Sequence, residues 1–347
     1  MSFLFTFVFG SVCLAQQSGK FRPGQLWPDD NGVHINAHGG GMLLYEGTYY
    51  WFGEHKVAGE IGNTAQVGVH CYSSKDLYNW VDRGIALAVS DEGDIQKGCI
   101  LERPKVIYNA RTKKFVMWFH LELKGKGYSS ARAGIAVADE VTGPYRFIRS
   151  TRATPGQYPV NVSDSACTAD QLFIRDLAGG QMVRDQQLFV DDDGKAYHIF
   201  ASEENQTLHI AELTDDYLDY TGKYVRAFEG RYMEAPAIFK KDGLYYFMGS
   251  GCTGWAPNAA RSAVAPSIWG PWTELGNPCV GRDAEKTFFS QSTYILPVPG
   301  EKDKFIYMGD RWTPSNPIDG RYIWLPIRFE GRKFKIEWVD EWGLDDF

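Results

Sequence analysis

The chain has 347 residues and a formal net charge of −7, and 15% of its residues are aromatic. No basic block stands out, so nothing recommends nucleic acid as a partner, and a mildly acidic surface speaks mainly for solubility. The length is ample for a large core. The aromatic content favours strands.

The chain opens with an apolar run. Residues 2–15, SFLFTFVFGSVCLA, end in small residues before the polar Gln16-Gln17-Ser18. This is the pattern of a secretory signal peptide, although the usual basic start is absent. The run is too short to span a bilayer, which takes about 20 apolar residues. Residues 1–16 are therefore expected to be a leader, and residues 17–347 a single domain. The expected location is secreted or periplasmic, without membrane insertion of the mature domain and as a monomer. Of the six cysteines, Cys13 falls in the leader. The remaining five are an odd number, which leaves at least one thiol free or paired between chains. No CxxC or Cys/His spacing points to zinc, and neither a metal nor a cofactor is expected.

From residue 41 onward a unit repeats. An apolar strand, a turn and an aromatic strand follow one another at Gly41-Met42-Leu43-Leu44, Glu46-Gly47 and Thr48-Tyr49-Tyr50-Trp51-Phe52. The second unit has Pro104-Lys105-Val106-Ile107 before Phe115-Val116-Met117-Trp118-Phe119. The third pairs Gln187-Leu188-Phe189-Val190 with Ala196-Tyr197-His198-Ile199-Phe200 around Asp193-Gly194, and the fourth pairs Ala235-Pro236-Ala237-Ile238-Phe239 with Leu244-Tyr245-Tyr246-Phe247 around Asp242-Gly243. The fifth joins Ser292-Thr293-Tyr294-Ile295-Leu296 to Phe305-Ile306-Tyr307-Met308. Acidic-Gly pairs between strand runs are hairpin signals. A third strand and a closing fourth strand, often with tryptophan, complete each unit. Five units of four antiparallel strands predict an all-β, five-bladed β-propeller, with a β-sandwich as the rival. Asp191-Asp192-Asp193-Gly194 resembles a calcium loop but lacks the downstream spacing of one, so a hairpin turn is expected there. Residues 20–32 are expected to lead into the first blade, and residues 338–347 to help close the ring.

In a propeller the innermost strand of each blade lines the axis. Counted this way, the five blades place His38, Glu102, Asp185, Glu234 and Gln291 at comparable depth, one polar residue each. Core packing does not explain such a set, because it disfavours unpaired polar groups. Carboxylates converging in a polar funnel are what glycosidic bond cleavage requires. Trp255 and Trp312 follow inner segments, and Trp255 is the better candidate for a sugar platform.

Arg184-Asp185, the run 189–194 and Met233-Glu234-Ala235-Pro236, set in five blades, resemble glycoside hydrolase family 43 over nearly the whole mature chain. The resemblance implies an inverting mechanism in which Glu234 is the general acid and Asp185 raises its pKa and holds it in place. A nearby negative charge does disfavour ionisation of a second carboxyl, and a general acid must stay protonated near working pH. The usual family base, an Asp in the first-blade strand, is absent: Ala37-His38-Gly39-Gly40-Gly41 stands there. With Glu102 and Phe289-Ser290-Gln291-Ser292, this resembles the exo-β-1,3-galactanase branch. That branch implies release of galactose from β-1,3-galactan of arabinogalactan-type glycans. It also implies that Gln291 orients the attacking water, as an imidic tautomer in a proton relay, while Glu102 holds the sugar or takes the water's proton instead. Glu54, Tyr128, Asn205 and Thr253 match substrate-contacting positions, and His38 is structural or substrate-facing. The rival functions are an α-L-arabinofuranosidase or β-xylosidase of the same family, and a non-catalytic carbohydrate-binding propeller.

Overall fold

The computed structural model describes residues 19–65 and 67–347. The expected leader, residues 1–16, lies outside the described residues.

Five separate sheets follow one another along the chain. Blade 1 is His38–Tyr45, Thr48–His55, Gly68–Ser74 and Val81–Ala88, and blade 2 is Ile100–Asn109, Lys114–Glu122, Arg132–Ala138 and Arg146–Thr151. Blade 3 is Gln186–Val190, Ala196–Ser202, Thr207–Leu213 and Tyr220–Ala227, and blade 4 is Met233–Lys241, Leu244–Gly251, Arg261–Ala265 and Thr273–Gly276. Blade 5 runs from Gln291–Pro297 through Phe305–Arg311 and Arg321–Glu330 to Lys333–Glu337. The first-named strand of each blade is innermost, and each touches its neighbours around the ring, the first against the fifth included. This is the five-bladed β-propeller that the repeats predict.

Turn chemistry explains where the register is fixed most tightly. Tyr45 pairs with Thr48 and Lys241 with Leu244, so Glu46-Gly47 and Asp242-Gly243 are two-residue hairpin loops. All four of these residues have positive φ, the backbone that matches the twist of paired strands and that glycine adopts freely. The Asp191-Asp192-Asp193-Gly194 segment is also a hairpin turn, closed by Asp191 N to Lys195 O at 2.9 Å and by Gly194 N to Asp191 O at 2.9 Å.

Two features depart from the four-strand repeat. Blade 5 carries an extra outer strand, Cys279–Val280, which pairs parallel with Lys333–Glu337. Between blades 2 and 3 the chain forms two short helices, Asp164–Ala169 and Gln171–Leu177, capped by Ser163 and Asp170. Neither helix is long enough to show a clear 3.6-residue period, which is why the sequence pattern did not reveal them.

The core is split into five layers, one between each pair of adjacent blades. Phe52, Phe115 and Phe119 pack between blades 1 and 2, Trp118, Phe200 and Tyr224 between blades 2 and 3, and Ile199, Ile238 and Phe247 between blades 3 and 4. Phe239, Phe305 and Tyr307 fill the next layer. Phe21, Trp51, Trp80, Trp324 and Trp342 fill the layer between blades 5 and 1. Each such ring contributes roughly 1.5–3 kcal/mol by burial, so most of the aromatic content is spent between blades. The last layer also joins the two ends of the described chain. Phe21 and Trp342 exchange backbone hydrogen bonds of 2.7 and 3.1 Å, flanked by the ion pairs Lys20–Asp346 and Arg22–Glu341.

Candidate active site

At one end of the axis the inner strands surround a cavity of about 620 Å³. It gathers His38, Glu54, Glu102, Tyr128, Asp185, Asn205, Glu234, Trp255 and Gln291 from all five blades. Thr253 is the exception. It is not among the lining residues, and its hydroxyl donates to Ala256 O at 2.6 Å and accepts from Asn258 Nδ2 at 2.7 Å, which ties its own loop together.

A repeated bulge aims these side chains. The ladder register slips just after His38, Glu102 and Glu234. The next residue in each case, Gly39, Arg103 or Ala235, has φ between 52° and 62°. An extra residue at such a point bends the strand and re-aims its side chain. For Arg103 and Ala235 the left-handed backbone costs about 1–2 kcal/mol each. In each bulge the amide is held by a carboxylate of the preceding blade or the segment leading into it. Gly39 N donates to Asp310 Oδ2 at 2.5 Å, Arg103 N to Glu54 Oε1 at 2.8 Å, and Ala235 N to Asp185 Oδ2 at 2.9 Å.

Glu234 has the environment of an acid. Burial and then the charge of Asp185 push its carboxyl up to about 7, against hydrogen bonding from Cys252 and the charges of Arg103 and Arg184. Asn205 Nδ2 and Cys252 Sγ reach Oε1 at 2.8 and 3.2 Å. Oε2 is therefore the oxygen left to carry a proton. Asp185 is fixed on its other side by Arg103 Nε at 2.9 Å.

Glu102 has the opposite environment. Burial works to raise its pKa, but the hydrogen bond and charge of His120, then Lys56 and Tyr128, hold it down at about 2. Tyr128 Oη donates to Oε1 at 2.8 Å, and His120 Nδ1 lies 3.0 Å from Oε2. His120 Nε2 meets Glu122 at 2.9 Å. Burial opposes its charge, yet the two carboxylates raise His120 to about 9. Glu102 is thus an ionised carboxylate beside a fixed cation.

Gln291 is locked as well. Its Oε1 accepts from Arg103 Nη2, and its Nε2 donates to Ser250 Oγ at 2.8 Å. Arg103 also donates to Ser292 O at 3.0 Å. One guanidinium therefore orients both Asp185 and Gln291. His38 is half-buried, and desolvation lowers its pKa against the pull of Asp310, whose Oδ2 lies 3.2 Å from its Nδ1. Its ring packs on Trp312 at 4.7 Å, and Trp312 stacks on Trp255 at 5.3 Å. Trp255 remains 58% exposed, so a ring face is open for a sugar.

The sequence did not single out Arg103, His120, Asp310, Ser250 or Cys252. Strand register could have found three of them. Glu102 pairs with His120, Glu234 with Ser250, and Gln291 with Asp310, just as His38 pairs with Glu54. Glu102, His120 and Asp185 bring donor atoms within 4.8 Å of one another, close enough to consider a metal ion. They do not suit one. Both ring nitrogens of His120 face carboxylates, and Arg103 already neutralises Asp185. All five cysteines among the described residues are free.

Two carboxyl groups of opposed proton affinity in one funnel, Glu234 raised and Glu102 lowered, are what a glycoside hydrolase requires. Residues 41–294 match Glycosyl hydrolases family 43, and the chain belongs to that family. The fold superposes on a family-43 β-1,3-galactosidase solved with galactodeoxynojirimycin at a TM-score of 0.90. Sequence identity there is 55%, over 93% of this chain and all of the other. An exo-β-1,3-galactanase variant from Phanerochaete chrysosporium, solved with β-1,3-galactotriose, gives a TM-score of 0.80 and 33% identity over 94% of this chain and 69% of that one. The β-D-galactofuranosidase of Aspergillus niger is 28% identical over 140 residues, and the match spans 40% of each chain.

Proposed function

We propose that the protein is an inverting exo-β-1,3-galactanase that releases galactose from the backbone of arabinogalactan-type glycans. The observation that carries this is the pairing of Glu234, held near neutral pKa, with Asp185 in a cavity that has no carboxylate at the His38 position. Its likeness to galactanases and galactosidases supports the choice of sugar.

In this reading Glu234 protonates the leaving glycosidic oxygen from Oε2, and Asp185 keeps the proton there until transfer. Water attacks the anomeric carbon from the opposite face. Gln291, clamped by Arg103 and Ser250, orients that water through its remaining N–H and the open side of its carbonyl. A neutral amide is not a base by itself, so the proton of the attacking water leaves to bulk solvent through the open cavity, and Glu234 takes one back from solvent after each turnover. Glu102 is a poor acceptor for the water's proton, because a carboxylate held at about 2 has little affinity for a proton at neutral pH. Glu102 instead recognises sugar hydroxyls, together with Tyr128 and Asn205, while Trp255 offers a stacking face. We assign the enzyme to a secreted or periplasmic location on the strength of the apolar run at residues 2–15.

The test is a substrate panel. Purified protein should release galactose from linear β-1,3-galactan and leave aryl α-L-arabinofuranosides and aryl β-xylosides untouched. Turnover of either aryl glycoside with none of galactan would replace this reading by the corresponding family activity.

A further inference from the structure

Beside the catalytic cavity lies a second one, of about 500 Å³. Tyr128 and Arg184 line both, so the two cavities adjoin. The walls of the second come from the loop after Lys114–Glu122, from the helix Gln171–Leu177, and from the turn at Glu204.

The charge of this cavity opposes that of the molecule. In a protein of net charge −7, its walls carry Lys126, Arg152, Arg175 and Arg184 against only Asp176 and Glu204. Both carboxylates are already engaged. Asp176 accepts from Arg175 Nε and Nη2 at 3.0 and 2.6 Å and from Arg152 Nη1 at 3.0 Å. Glu204 bridges Arg175 Nη1 at 2.9 Å and Arg184 Nη2 at 2.5 Å. These pairs hold the guanidinium groups in place without cancelling their summed charge. The Lys126 ammonium makes no hydrogen bond or ion pair among the described residues, and the buried Nε of Arg184 has no acceptor there. Fixed guanidinium forks with spare donors are suited to carboxylates. The cavity is open and water-accessible, and Tyr128 forms one wall, which fits a hydrated sugar ring with a charged tip.

We propose that this second cavity is a subsite for a carboxylate-bearing sugar branch, a uronic acid, on the glycan held in the catalytic cavity. The proposal rests on the galactan reading, which supplies the glycan that bridges the two cavities.

The test uses the Glu234→Gln variant as a binder that does not turn over. Two ligands are titrated calorimetrically: β-1,3-galactobiose bearing one glucuronosyl branch, and the same molecule with that carboxyl reduced to a neutral glucosyl group. The charged ligand should bind about five-fold more tightly at low salt, and the gap should close at about 0.5 M salt. Adding Lys126→Glu should abolish the preference and leave the affinity for the neutral ligand unchanged. Equal affinities, or a preference that survives Lys126→Glu, overturn the subsite. Hydrolysis of unbranched β-1,3-galactobiose by the unaltered enzyme reports separately on the parent reading. A charge preference without that hydrolysis would remove the galactan assignment and leave the anionic subsite standing.

Discussion

The amide of Ala235 donates to Oδ2 of Asp185 at 2.9 Å, so the carboxylate that raises the proton affinity of Glu234 is anchored to the residue that follows it. Position and charge can be separated here. Asp185→Asn keeps an acceptor for the amide and removes the negative charge. As the proposed general acid, Glu234 must be protonated to work, so activity should fall as pH rises through its pKa of about 7. Without the Asp185 charge that pKa drops, and the alkaline limb of the kcat/KM profile moves to lower pH. The rate at neutral pH should fall on the order of ten- to a hundredfold. A pH–rate profile of the variant checks this.

Cys252 acts on the same carboxyl with the opposite sign. Its thiol lies 3.2 Å from Oε1 of Glu234 and favours the ionised form. Cys252→Ala removes a donor to the carboxylate, so the alkaline limb should move to higher pH. Opposite displacements in the two variants, measured on one substrate, identify Glu234 as the titrating acid.

His120 links activity to stability. Its pKa is raised to about 9 by Glu102 and Glu122, despite burial. A group raised on folding stabilises fully below its ordinary pKa, near 6.5, and loses that contribution as pH climbs through its folded value. Stability should therefore decline between about pH 7 and pH 9 in the native protein. His120→Ala leaves the buried Glu122 and the half-buried Glu102 without their cation and should cost about 3–5 kcal/mol, with a flatter decline over the same pH interval. Chemical denaturation across that interval measures both effects.

Gly39 is required for two distinct reasons. Its φ is +62°, and a Cβ would lie 2.3 Å from Oε1 of Glu54 and 3.3 Å from the Arg103 amide. Gly331 shares that φ but has open space around it. Gly331→Ala should cost about 1–2 kcal/mol of backbone strain and leave kcat/KM unchanged. Gly39→Ala should cost more and also reduce activity, because it displaces the carboxylate that holds the Arg103 bulge. Melting curves and initial rates for the pair distinguish the two effects.

Much of this was legible in the sequence. The hairpin pairs Glu46-Gly47 and Asp242-Gly243 fix turns directly, and the repeats they punctuate revealed five blades. Glu102, Glu234 and Gln291 were visible because each precedes or begins an inner strand. Arg103 was not, although it stands beside Glu102. Its side chain and amide are committed to Glu54, Asp185, Gln291 and Ser292 on other blades or the segments leading into them, and no local pattern encodes contacts across a ring. His120 and Asp310 sit in second strands that read simply as aromatic runs. Only the exact register across each hairpin, including the bulge, places them opposite Glu102 and Gln291. Thr253 shows the converse. Its position along the chain matches a contact site, but its hydroxyl is engaged by Ala256 and Asn258 of its own loop, which no strand pattern encodes.

The most direct measurement follows the anomeric configuration of the first product. Linear β-1,3-galactan is incubated with the enzyme, and the released sugar is observed by proton NMR before mutarotation. Galactose should appear first as the α-anomer, since water attacks from the face opposite the bond that Glu234 protonates. Initial release of the β-anomer, or no galactose from folded protein, would contradict the account.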